Sequence, residues 1–225
     1  NDPRTLGPSG GPITKDQTGV ETYGLIFAFD ESPVTPGLLW AGTDDGYIWI
    51  SRNNGLKWDN VTPSDIGDFT RISIIEPSRY AAGTAYVAAN RYALGDKTPI
   101  LYKTTDYGKT WTLLTDGTNG IPADEPTRVV REDPSREGLL YAGTEFGIYI
   151  SFNGGKQWQS FQKNLPNTPI TDMKVHQKDI VISTQGRSFW IMHNITPLHE
   201  VSDAMASADV MLFTPREAYR NRYRA

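Results

Sequence analysis

The sequence contains no cysteine, which excludes disulfides, thiolate nucleophiles and Cys-based zinc sites while leaving the compartment open. Histidine is scarce, and His176, His193 and His199 are not spaced as ligands on one element. No apolar run approaches the roughly 18 to 20 residues that cross a bilayer, so the chain is not itself a membrane span. An excess of basic residues is missing too: the formal charge is −4, without the clustered Lys and Arg that nucleic acid requires. The first residues carry no charged and apolar leader but are rich in Pro, Gly, Thr and Asp. Asn1 therefore reads as an internal point of a longer protein or the start of a processed one.

What the chain has in plenty is turn chemistry and aromatics, with 21 Gly, 15 Pro and 11% aromatic residues. This mixture favours many short strands joined by tight turns over long helices. The stretch Thr104 to Trp111 reads Thr-Thr-Asp-Tyr-Gly-Lys-Thr-Trp, and Ser51 to Trp58 and Ser151 to Trp158 keep its frame. That frame is a hydroxyl (Ser51, Thr104, Ser151), then Asn53, Asp106 or Asn153, then Gly55, Gly108 or Gly155, then Trp58, Trp111 or Trp158. The recurrence, about every fifty residues, marks an array of structural units.

Each unit reads as four short strands with period-2 alternation. The first has Tyr23 to Phe29, Leu38 to Gly42, Tyr47 to Ser51 and Trp58 to Val61. The second has Thr70 to Ile75, Ala85 to Ala89, Ile100 to Thr104 and Trp111 to Leu114. The third has Thr127 to Arg131, Leu139 to Gly143, Ile148 to Ser151 and Trp158 to Phe161. A fourth begins at Ile170 to Val175, continues through Asp179 to Ser183 and Ser188 to Met192, and then loses its box at His193-Asn194-Ile195.

The predicted architecture is all-β, a β-propeller of four-stranded antiparallel blades with about four blades present, as an open arc or part of a larger ring. A β-solenoid with a long rung is the competing architecture. The predicted boundaries are an extended arm over 1–21, blades over 22–62, 69–115, 126–162 and 170–201, and a linker toward a following domain over 202–225. Within that linker Ser202 to Ala208 reads as a short helix and Ala208 to Tyr219 as a strand and turn.

The boxes are read as structural. The Asp or Asn accepts hydrogen bonds from its own turn, the Gly supplies a positive φ, and the Trp lies against the inter-blade core. They resemble Asp boxes, the bacterial neuraminidase repeats shared by sialidases, some xyloglucanases and the sortilin-type sorting receptors. Gly186-Arg187-Ser188-Phe189-Trp190-Ile191, Thr196-Pro197-Leu198 and Phe213-Thr214-Pro215-Arg216 resemble the end of the propeller in large secreted bacterial sortilin-like proteins, often labelled glycosyl hydrolases. That resemblance implies further blades before this region, another domain after it, and a secreted, periplasmic or cell-surface bacterial location.

For enzymatic readings the residues offer little. Sialidase chemistry needs an Arg cluster with a Tyr and acidic partners. Arg71 and Arg128 stand at matching strand starts, but pairing with Glu76, Glu132 or backbone carbonyls explains them as well. Xyloglucanase-type hydrolysis needs two facing carboxylates about 5 to 10 Å apart, for which Asp44, Asp45 and Glu145 are the candidates. Asp44-Asp45-Gly46 also fits a plain hairpin turn. No cofactor is expected. Calcium at an Asp-rich loop is the alternative, although no loop carries the spacing of a dedicated cage.

Strand alternation puts the loops between second and third strands, and those between units, on the face away from the boxes, where binding is expected. The candidates there are Arg91, Tyr92, Asp96 and Lys97 in the Asn90 to Pro99 loop, Asp116 in the Thr115 to Pro126 loop, and Arg187. The expected function is a non-catalytic extracytoplasmic propeller that binds a protein or peptide, or serves as a subunit of an assembly. Its partners would include the remaining blades or other subunits. The alternative is a glycoside hydrolase acting on polysaccharide or glycoconjugate, with carbohydrate as its ligand. Asn60 and Asn194 sit in acceptor sequons.

Overall fold

A computed structural model describes residues 24–202, 205 and 208–217; the arm over 1–21 lies outside them. Four antiparallel sheets follow one another along the chain. The first is β1 (Ile26–Glu31), β2 (Leu39–Thr43), β3 (Ile48–Ser51) and β4 (Asp59–Asn60), in that order. The second is β5 (Arg71–Pro77), β6 (Ala85–Arg91), β7 (Asp96–Thr104) and β8 (Thr112–Leu113). The third is β9 (Thr127–Glu132), β10 (Leu140–Thr144), β11 (Ile148–Ser151) and β12 (Gln159–Ser160). The fourth has three strands, β13 (Ile170–His176), β14 (Asp179–Thr184) and β15 (Phe189–Met192). This is a β-propeller of about four blades, with the fourth lacking its outermost strand among the described residues.

The sheets stack through their side-chain faces. Trp40, Ile48 and Ile50 of the first blade share a core with Ile72, Ile75 and Val87 of the second. Tyr86 and Leu101 do the same with Val130, Tyr149 and Trp158 at the second seam. At the third, Tyr141, Ile148 and Ile150 meet Ile170, Met173, Ile180 and Ile182. Burying such faces is the main driving force for stacking, since a lone four-stranded sheet leaves one apolar face wet. The first strands β1, β5, β9 and β13 pack successively and so lie innermost. Among the described residues β1 and β13 do not pack on each other in that way, so the blades form an arc. Consistent with its open end, β1 exposes Ile26, Phe27 and Phe29.

Three details differ from the sequence expectations. The helix is α1, Thr196–Glu200, with Pro197 in its first turn, where a missing N–H costs nothing; Ser202 to Ala208 lies partly outside the described residues. No strand occurs over 208–217, where Arg216 instead bonds Asp179 and the Gln177 carbonyl. The expected loop from Asn90 to Pro99 is mostly strand. Arg91 pairs with Asp96 across the hairpin, Tyr92–Leu94 forms a single 3-10 turn, and Gly95 closes it at φ 78.

Candidate binding face

The polar frames of the three boxes share one hydrogen-bond pattern, but the first box's Trp58 is half-buried against Phe29 of its own blade and not, as the sequence reading expects, in a seam between described blades. Ser51, Thr104 and Ser151 each donate a hydroxyl to Asn53, Asp106 or Asn153, at 3.0, 2.9 and 3.0 Å. The same hydroxyl accepts the amide of Gly55, Gly108 or Gly155, while the Asn or Asp oxygen accepts the amide four residues on, of Lys57, Thr110 or Gln157. These polar groups are thus satisfied within the turn itself. Gly108 has φ +80, and a Cβ there would lie 2.7 Å from the Val61 side chain of the preceding blade. The glycine is therefore demanded twice, by its backbone angle and by the close approach. The Trp111 indole donates to the Val61 carbonyl at 2.7 Å and Trp158 to the Leu114 carbonyl at 3.1 Å.

On the opposite face, the starts of β5 and β9 carry Arg71 and Arg128, and the β6–β7 turn carries Tyr92. The Tyr92 ring lies between the two guanidinium groups, whose Cζ atoms are 5.5 and 5.6 Å from its centroid. Arg71 also lies over Phe27 at 4.9 Å and donates to the Tyr92 hydroxyl at 3.4 Å. The result is a ladder of Phe27, Arg71, Tyr92 and Arg128 across three blades. Cation–π attraction favours these guanidinium positions over the rings. Arg128 is neutralised by a short ion pair with Glu145, whereas no carboxylate among the described residues pairs with Arg71. Beside the ladder lies a hollow of about 610 Å³ lined by Tyr92, Lys97, Arg128, Glu145, Phe146 and Gln185, among others. It combines apolar floor, hydrogen-bonding rim and a positive edge, the ingredients of a small recognition site.

The structure distributes the other sequence candidates over this face. Arg91 pairs with Asp96 at 3.4 Å, and Asp96 is further held below its usual range by the Thr98 amide. Lys97 lines the hollow. Asp116 organises its own loop, accepting the amides of Thr118 and Asn119, which lower its pKa, Thr118 first. Arg187 is exposed in the β14–β15 turn, its carbonyl accepting the Trp190 indole.

Of the hydrolase candidates, Asp44 accepts the amides of Gly24 and Leu25 at 2.9 and 3.0 Å, tying the entrance of the first blade. The Asp45 carbonyl accepts the Phe69 amide. Glu145 faces Arg128, and the hollow it lines includes neither Asp44 nor Asp45. Arg71 and Arg128 thus find rings and Glu145, while Arg131 takes Glu76 at 2.7 Å and Asp172 at 2.8 Å. Burial raises the pKa of Glu76, with Arg131 opposing. Sequence reasoning did not single out Phe27 or the stacking of Tyr92. The matched positions of Arg71 and Arg128, one unit apart, were the signal that could have found the ladder.

No group of three or more His, Asp or Glu side chains is arranged to hold a metal ion among the described residues. None of the helices among them is long and apolar enough to cross a membrane.

The fold is that of a β-propeller, and comparison with known proteins agrees. No protein-family model matches the chain. A stretch of 83 residues, 36% of the chain, is 31% identical to a probable oligoxyloglucan-reducing end-specific xyloglucanase of Neosartorya fischeri, of which it spans 10%. Among solved structures, YCF48 from Cyanidioschyzon merolae superposes with a TM-score of 0.52 at 18% identity, over 76% of this chain and 53% of that one. YCF48 bound to D1 peptide gives 0.54 at 16%, over 75% and 51%. The GH74 enzyme of Niastella koreensis gives 0.59 at 18%, over 76% and 28%. The chain spans about half the length of YCF48 and about a tenth of the xyloglucanase.

Proposed function

We propose that this chain is a non-catalytic propeller module that binds a peptide or protein segment on the face away from the boxes. The observation that carries this reading is the Phe27–Arg71–Tyr92–Arg128 ladder, which presents a ring-stacked guanidinium without a carboxylate partner among the described residues, beside a hollow of about 610 Å³. A carboxylate of the bound segment would take Arg71 in a bidentate pair, with its apolar side chains on Tyr92 and Phe146. That one structural neighbour is YCF48 bound to D1 peptide supports peptide binding as a use of this fold. The boxes belong, in this proposal, to Asp-box repeats in a sortilin-like bacterial protein acting outside the cytoplasm.

A second reading, glycoside hydrolysis, rests on the xyloglucanase similarity and the GH74 neighbour. Against it, the Asp44 carboxylate ties the entrance of the first blade, Glu145 is paired with Arg128, and the hollow that Glu145 lines includes neither Asp44 nor Asp45. Selection from a displayed library of random peptides with free C-termini, run beside an assay of reducing-end release from xyloglucan, separates the two. Enrichment that depends on Arg71 and Tyr92, without sugar release, supports the binding module. Release of oligosaccharide would replace it with the hydrolase.

A further inference from the structure

Two of the three seams are closed by a tryptophan. Trp111 enters the first seam, edge-on to Trp40 and Tyr102 with ring centroids 6.3 Å away in each case, and bonds the Val61 carbonyl. Trp158 enters the second and bonds the Leu114 carbonyl. Those carbonyls are equivalent: Val61, Leu114 and Phe161 each follow a fourth strand and donate their amides to the carbonyls of Ile48, Leu101 and Ile148. At the third seam the series breaks. The fourth blade has no box and no fourth strand among the described residues, so no indole arrives, and among those residues no donor reaches the Phe161 carbonyl. What stands there is an apolar cavity of about 290 Å³ lined by Ile148, Phe161, Ile180, Ile182, Trp190 and Met192, among others.

We propose that this cavity is a socket for a tryptophan side chain carried by an extended segment of a partner polypeptide, a second binding site independent of the one above. The occupant follows from the sibling seams. Each filled socket takes an indole whose N–H meets a carbonyl just past a strand end, from a tryptophan immediately before a short strand that pairs with the third strand of its blade. Among the described residues β15 is the terminal strand of the fourth blade, so its outer edge offers the same ladder to an incoming strand. None of this sequence's own tryptophans supplies that indole. Its tryptophans are Trp40, Trp49, Trp58, Trp111, Trp158 and Trp190, and all six have other places in the described structure. Trp190 lines the socket, but its Nε1 is committed to the Arg187 carbonyl at 2.8 Å.

The test uses the chain as it stands and the peptide Gly-Lys-Thr-Trp-Thr-Leu-Leu-Thr, which copies residues 108–115, the segment that closes the first seam. With 5-fluorotryptophan in the peptide, ¹⁹F NMR should show saturable binding, and the alanine-substituted peptide should displace it at least about tenfold less well than the unlabelled parent does, since the buried ring carries the affinity. Contacts from the indole protons should fall on the methyl groups of Ile148 and Ile182. Met192→Arg, at the partly exposed lip, should abolish binding with an unchanged melting curve. Absence of saturable binding, equal binding of the alanine peptide, or indole contacts to Ile48 and Ile50 in place of Ile148 and Ile182 would each overturn the proposal. Loss of binding here leaves the Arg71 face untouched, and the reverse also holds.

Discussion

Trp158 and Leu114 stand on neighbouring blades, and the indole of the first donates to the carbonyl of the second across the seam at 3.1 Å. A box that looks like a local turn is thus also a clamp between units. Trp158 is 3% exposed, so Trp158→Ala should cost about 3–5 kcal/mol through lost burial and the cavity left behind. Trp158→Phe keeps most of the ring but strands the carbonyl, at about 1–3 kcal/mol. Urea unfolding measures both, and an alanine variant as stable as the parent would show that the seam does not rest on the indole.

The three turns differ in one titratable atom. Asp106 is held at about 2, from a usual 3.8, chiefly by the Thr110 amide and then by its hydroxyl, while Asn53 and Asn153 make the same amide bonds uncharged. A depressed carboxyl pKa adds stability that is complete above about 3.8 and lost as the pH falls toward about 2. Asp106→Asn should therefore leave stability near neutral pH almost unchanged and flatten the acid limb in that window. Melting temperatures from pH 7 to pH 2 check this, and an unaltered acid limb would assign the slope to other carboxyls.

Glycine substitutions separate backbone strain from crowding. Gly186 has φ +82 with nothing within 4 Å of the place a Cβ would take, whereas Gly108 has φ +80 and Val61 at 2.7 Å. Gly186→Ala should cost about 1–2 kcal/mol for the left-handed backbone alone. Gly108→Ala should cost more, because the seam must open as well. Equal losses by denaturant titration would mean that the seam yields freely.

Much of the architecture was legible because the box is a local device. Its hydroxyl, Asx oxygen, glycine and tryptophan are close in sequence, so the unit length and the four strands per blade could be read directly. Boundaries were less so: the outermost strands β4, β8 and β12 shrink to two residues each, since only a short run beyond the turn pairs before the chain turns inward. The β6–β7 hairpin was read as a loop because its closure depends on Arg91 pairing with Asp96 around Gly95, a cross-strand fact with a weak local signature. The ladder from Phe27 to Arg128 joins three blades, and no spacing within one unit reports it. The third socket was visible only as a missing box; that it leaves a cavity and an unbonded carbonyl among the described residues is a property of packing.

Those long-range contacts are where the functional claim stands or falls. The most direct measurement is the affinity of a peptide selected on the native chain for Arg71→Ala and Tyr92→Ala, compared with Asp106→Asn on the box face as a control. Removing the guanidinium or the ring should weaken binding at least about tenfold, as expected for an anchor residue, with the control unchanged. Equal affinity for all three variants and the parent would contradict a binding site on this face.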